Sequence, residues 1–155
     1  MKAWLREHEL AVLLLTWLAL CAGAVGLSAT ASGPGMLYDE AWLAQQGRQV
    51  VEPLREGLMP PGTQKTWLLG RPFPLFALPY LGSLKSQLLI PSLALFGNDL
   101  SVVRGTTLAT ALLALLATMA VARRLFDLRV GLLTGVLLAT DPTVFFHAQW
   151  EWGPF

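Results

Sequence analysis

Two neighbouring carboxylates, Asp39 and Glu40, stand in the stretch Gly35-Met36-Leu37-Tyr38-Asp39-Glu40-Ala41-Trp42, just past a long apolar segment. A third acid, Glu151, follows two more apolar segments, whose lengths bring it to the same membrane face. Acids that meet in this way can divide the work. Each raises the pKa of the other, so one stays partly protonated while the other accepts a proton as general base. Asp39 also has a plainer use, because aspartate is favoured as the N-cap of a helix starting at Glu40 and a negative charge suits that helix end. His147 and Glu151, four residues apart, share a helix face and could hold a divalent metal, while a histidine near an interface serves equally as an ordinary polar contact. No third histidine completes a metal set.

The segments that must position these groups read as membrane-embedded. Of 155 residues, 54% are hydrophobic and 14% charged, against about 25% charged in an ordinary soluble domain. The net charge of +1 comes from dispersed lysines and arginines, which excludes the clustered basic face of a nucleic-acid binder. The single cysteine, Cys21, lies inside an apolar run, where packing is its expected role.

Leu10 to Ala31 is 22 residues without a charge, enough at ~1.5 Å per residue to cross a ~30 Å core, and is read as a first spanning helix. A cleaved signal peptide is the rival, with Ala29-Thr30-Ala31 as its cleavage site, although this run exceeds the usual ~7–15 residue apolar region. Ser32 to Gly35 break the helix. From Glu40 to Glu52 an amphipathic surface helix is expected, with Leu43, Val50, Val51 and Leu54 opposite Gln45, Arg48, Gln49, Glu52 and Glu56, Trp42 at headgroup level, and Pro53 ending it.

The apolar stretch Trp67 to Phe96 is interrupted by Arg71, Pro72, Pro74, Pro79, Lys85 and Pro91. Prolines at this density break a backbone ladder that lipid cannot satisfy, so no clean span is expected here. The reading is an extended stretch from Arg71 to Pro79, then a re-entrant or interfacial helix from about Leu81 to Phe96. Gly97-Asn98-Asp99 is a turn with a helix cap, followed by a second span over Ser101 to Ala122. Arg123, Arg124 and Arg129 mark the next connection as cytoplasmic, and Lys2 and Arg6 place the N-terminus on that side.

A third span is expected over 130–150. Counted from Val130, Glu151 lies ~31 Å along, a full crossing, so it emerges on the face that carries Asp39, flanked by Trp150 and Trp152. Asp141-Pro142 falls at mid-membrane, where the carboxylate faces a cavity or protein partner, or caps the backbone groups that the proline releases. Gly131 and Gly135 have the spacing of a close-packing helix face. The fold class expected is an all-α membrane protein of three transmembrane helices, with interfacial or re-entrant helices in a long first extracytoplasmic loop, 32–100.

Tyr38-Asp39-Glu40-Ala41, Gly70-Arg71-Pro72-Phe73-Pro74-Leu75 and Leu95-Phe96-Gly97 leading to Val103-Arg104 together resemble the N-terminal part of glycosyltransferase family 39. Ala122-Arg123-Arg124-Leu125-Phe126 and Leu137-Leu138-Ala139-Thr140-Asp141-Pro142 continue the likeness, which covers roughly Leu10 to Phe155. The match is one of order and spacing. These are membrane enzymes of the GT-C type, among them protein O-mannosyltransferases and the lipid A aminoarabinose transferase, and they are several times longer. The resemblance therefore implies an N-terminal fragment, inactive alone, of an enzyme that moves a sugar from a polyprenyl-phosphate donor to an acceptor hydroxyl of a lipid, glycan or protein. It implies an extracytoplasmic site in a bacterial or archaeal plasma membrane.

On this resemblance the family's first-loop acid maps onto Asp39, with Glu40 beside it, and the second-loop acid, usually aspartate, maps onto Glu151. The aminoarabinose branch has a lysine before a Pro-Pro pair; the corresponding place here is near Tyr80, so Arg71, Lys85 and Arg104 stand in by role only. The departing lipid phosphate needs cationic donors, which arginine supplies by bidentate contact and lysine as a point charge, though snorkelling to headgroups would use the same residues. A non-enzymatic membrane scaffold or assembly subunit is the alternative class, for which three helices without a carboxylate site would suffice.

Overall fold

The computed structural model describes residues 8–30, 38–51, 64–78, 81–82 and 84–144. The chain is mostly helical: α1 (Glu9–Thr30), α2 (Tyr38–Val51), α3 (Leu84–Phe96), α4 (Leu100–Leu125) and α5 (Leu128–Thr140). Between α2 and α3 run β1 (Gln64–Leu68), β2 (Arg71–Leu78) and β3 (Leu81–Gly82), an antiparallel sheet in that order. The expected extended stretch at Arg71 is present, and it is paired as a sheet that the sequence reading did not anticipate. Two compact units emerge. One holds α1, the part of α4 from Leu108, and α5; the other holds α2, the sheet, α3 and α4 up to Thr107.

In the first unit α1 and α4 run antiparallel. Glu9, at the start of α1, meets Arg123, near the end of α4, with Oε2 accepting from Nε at 3.2 Å and Nη2 at 3.1 Å. Two turns further along α1, Trp17 Nε1 donates to the Leu112 carbonyl at 2.8 Å. Leu13, Leu115 and Met119 form the buried core between these contacts. Asp127 N-caps α5 by accepting from the Val130 amide at 2.9 Å, so the arginine-rich connection closes tightly.

Gly131 and Gly135 of α5 are buried against α4, as their spacing implied. A Cβ on Gly131 would lie 2.9 Å from the Met119 carbonyl oxygen, so only hydrogen lets the backbones come this close. Helices α1 and α4 are long and apolar enough to cross a membrane, with mean hydropathies of 2.3 and 1.8 over their candidate spans. Only 6% of the α1 span is buried by protein. The exposed leucines and valines along it make an apolar surface that water does not cover cheaply. The hydroxyls of Thr16, Ser28, Thr118 and Thr134 each donate to the carbonyl four residues back, which satisfies them without water.

The third segment departs from the expected span over 130–150. Helix α5 ends at Thr140 after 13 residues, about 20 Å of rise. Asp141 is extended, and its carboxylate accepts from the amides of Thr143 at 2.7 Å and Val144 at 3.1 Å, starting a new turn. The cause is local. A proline drives its preceding residue out of the helical region, and Pro142 then occupies the first helical position, where a missing N–H costs nothing. Asp141 is thus a cap, the plainer of its two expected uses.

The second unit is built on the first turns of α4. Ala44 of α2, Leu89 and Leu93 of α3, and Val103 of α4 form its core. Helix α2 is amphipathic as expected, but Gln49, expected on the polar face, is 3% exposed. Gln46 is buried too, and its Oε1 accepts from Ser86 Oγ of α3 at 2.9 Å. Gly47 lets the pair close: a Cβ there would lie 3.0 Å from the Ser86 carbonyl. Gly97 and Asn98 turn the chain out of α3, and Asp99 caps α4, accepting from the Ser101 amide and hydroxyl, both at 2.8 Å. These bonds, the amide first, hold the Asp99 carboxyl below its ordinary pKa.

The prolines of β2 obey ladder geometry. Leu68 and Arg71 close a two-residue turn, so they exchange the hydrogen bonds, and alternation leaves Pro72 and Pro74 where a missing N–H would point away from β1. On that other side β3 pairs only with Phe76 and Leu78.

Candidate functional site

The second unit carries every described residue of the expected site. Asp39 and Glu40 are the second and third residues of α2, which begins at Tyr38. The helix therefore starts earlier than expected, and the N-cap position anticipated for Asp39 becomes a place within the first turn. Acidic residues are favoured in a first helical turn because of the positive end of the helix dipole.

Arg71 begins β2, and its Nη1 donates to the carbonyls of Val50 at 2.7 Å and Val51 at 2.9 Å. A cation at a helix C-terminus satisfies orphan carbonyls and the negative dipole end together. The residue expected to bind phosphate is thus tied to the end of α2, although Arg71 as a whole is exposed. Lys85 is half-buried in the first turn of α3, and Arg104 follows the core residue Val103 on α4; both have partners within the protein. Because Ala44, Leu89 and Val103 share one core, α2 is held against the helices that bear Lys85 and Arg104.

His147 and Glu151, with Trp150 and Trp152, lie outside the described residues, as do Lys2, Arg6, Pro53, Leu54, Glu52 and Glu56. The ~31 Å count that carried Glu151 to the face of Asp39 assumed an unbroken helical rise, and the helix breaks at Asp141. Among the described residues no three of His, Cys, Asp and Glu come together to hold a metal.

Sequence reasoning missed the buried amides of α2. Gly47 in a helix interior was the available signal, since glycine there costs about 1 kcal/mol relative to alanine and asks for a packing reason. It missed the sheet as well, because Leu69-Gly70 lacks the Asn-Gly or Asp-Gly form that announces a two-residue hairpin turn; only Gly70 gave a turn signal.

The Glu9–Arg123 pair puts the start of α1 and the end of α4 at one end of the first unit, where Arg124 and Arg129 are exposed. The orientation expected from the positive-inside rule, with that end inside, is open to test. A cysteine at Gln64 should react with an impermeant thiol reagent added outside, and one at Asp127 should react only after permeabilisation. Outside labelling of position 127 would reverse this orientation.

No family model, curated protein or solved structure matches the chain. The likeness to glycosyltransferase family 39 rests on the residue patterns alone.

Proposed function

We propose that this chain is the N-terminal, membrane-embedded part of a glycosyltransferase that moves a sugar from a polyprenyl-phosphate donor to an acceptor hydroxyl on the extracytoplasmic face. The observation that carries the reading is the grouping of Asp39, Glu40, Arg71, Lys85 and Arg104 in one compact unit that includes the first turns of α4. An acceptor hydroxyl ionises far above neutral pH and needs a base, which Asp39 supplies, and general-base help is typically worth ~10²–10⁴-fold. Lys85 and Arg104 neutralise the departing lipid phosphate. Glu151 supports Asp39 or positions the acceptor.

The scaffold reading has one observation in its favour, the use of Arg71 to finish α2. Photoaffinity labelling separates the two. A polyprenyl-phosphate sugar bearing a diazirine should label peptides containing Lys85 or Arg104 in native membranes, and unlabelled donor should compete the label away. Labelling that unlabelled donor leaves unchanged would end the transferase reading and favour the scaffold.

A further inference from the structure

The connection between α4 and α5 is held in two places. Glu9 Oε2 pairs with the Arg123 guanidinium at 3.1 Å, and Asp127 Oδ1 accepts from the Val130 amide at 2.9 Å. These two acids are therefore engaged. Two cations beside them are not: Arg124 and Arg129 are exposed, and neither has a hydrogen-bond or ion-pair partner among the described residues.

The helix faces explain why these two stand apart from Arg123. A Cβ on Gly131 would lie 3.0 Å from Arg123 Cβ, so Arg123 is on the face of α4 that meets α5. At ~100° per residue, Arg124 has already left that face, and Arg129, two residues before Gly131, lies ~200° round α5 from its contact with α4. Between the two arginines, Leu125 is 70% and Phe126 73% exposed. Unpaired guanidiniums with bare apolar side chains between them match a ligand that is anionic at one end and apolar at the other.

We infer that Arg124 and Arg129 form a binding site for anionic phospholipid, with the lipid phosphate on the guanidiniums and the upper acyl chains on Leu125 and Phe126. The inference rests on the membrane reading of α1 and α4 and is independent of sugar transfer. Depth supports it. The candidate span of α4 ends at Leu125, so Arg124 stands in its last turn, where a snorkelling arginine reaches the phosphate layer. Arg124 and Arg129 also belong to the same compact unit as α1 and the part of α4 from Leu108. Chemistry selects the headgroup. The planar guanidinium takes phosphate by bidentate contact. Phosphatidylcholine brings its own cation to that phosphate, whereas phosphatidylglycerol leaves the negative charge for the protein. A free phosphate would meet the arginines but leave Leu125 and Phe126 bare.

The test is native mass spectrometry of the full chain in detergent, titrated with phosphatidylglycerol, phosphatidylcholine or glycerol 3-phosphate. Phosphatidylglycerol should bind at lower concentration than phosphatidylcholine, and glycerol 3-phosphate should not bind. Arg124→Gln and Arg129→Gln should each weaken phosphatidylglycerol binding about five-fold, and the double variant about 25-fold, as expected for basic residues at an anionic surface. The double variant should melt as the wild type does, because neither side chain holds a protein contact. Lys65→Gln, an exposed cation of the other unit, should leave the preference unchanged. Equal binding of the two lipids, a preference that survives in the double variant, or an equal loss in Lys65→Gln would overturn the site. A lowered melting temperature in the double variant would make the arginines structural and overturn it too. Glycerol 3-phosphate binding as tightly as the lipid would assign the arginines to a soluble anion and overturn the lipid assignment. A carbonate wash of phosphatidylcholine vesicles tests the membrane reading by itself: release of the chain overturns both, whereas retention without a lipid preference overturns the site alone.

Discussion

Under the proposed transferase function, Asp39→Asn should lower sugar transfer by at least ~10²-fold, with expression and thermal stability close to wild type. The substitution keeps shape and removes basicity. Asp39 is the second residue of α2, so a purely structural role would consist of its charge against the helix dipole, worth about 0.3–1 kcal/mol. Loss of that interaction would show as a small change in melting temperature with turnover retained. Loss of the base would show as the reverse. Glu151→Gln should cost less than Asp39→Asn, because an amide can still position an acceptor through hydrogen bonds. Initial rates with a lipid-linked donor, read beside a melting curve for each variant, distinguish the two roles. Near-normal turnover in Asp39→Asn would leave the pair of acids as structure.

Gly131→Leu should destabilise the α4–α5 hairpin by about 1–3 kcal/mol, the range typical of overpacking a tight contact. The obstacle is backbone. A Cβ at position 131 lies 2.9 Å from the Met119 carbonyl oxygen and 3.0 Å from Arg123 Cβ, and neither can swing aside without moving α4. Gly135 offers a comparison inside the same interface. Its Cβ would meet the Met119 thioether, with Sδ at 2.6 Å, and methionine has three rotatable bonds with which to retreat. Gly135→Ala should therefore cost less than Gly131→Ala. Thermal unfolding of the four proteins in one detergent measures the order. Equal costs for the two alanine variants, or none for Gly131→Leu, would show that the close helix contact does not govern stability.

These two predictions stand on different kinds of legibility. The close-packing glycines were readable because a four-residue spacing marks one helix face whatever lies opposite. Asp39 was readable as an acid at a helix start, while its partner acid was placed by counting an unbroken rise from Val130. The rise is interrupted at Asp141-Pro142, where the proline had been recognised but its power to end α5 was not carried into the length, and Glu151 itself lies outside the described residues. Arg71 shows the same limit from the other side. Its charge and its place after a glycine were visible, yet nothing near it in sequence announces the Val50 and Val51 carbonyls, about twenty residues away, that accept its hydrogen bonds.

By itself the sequence determined what depends on neighbours along the chain. The apolar runs of α1 and α4, the cap at Asp99, the extended backbone around Pro72 and Pro74, and the glycine face of α5 all follow from period, capping chemistry or proline geometry. Only the tertiary structure decided what depends on residues brought together from afar. Gln46 meets Ser86 across 40 residues and Arg123 meets Glu9 across 114. Gln49, polar by type, is buried because α2 turns that face inward. The strands pair because Leu69 and Gly70 both accept positive φ, which lets β2 fold back on β1. A propensity is a property of one residue in its local chain, whereas burial and pairing are settled by the whole set of faces that must be covered at once.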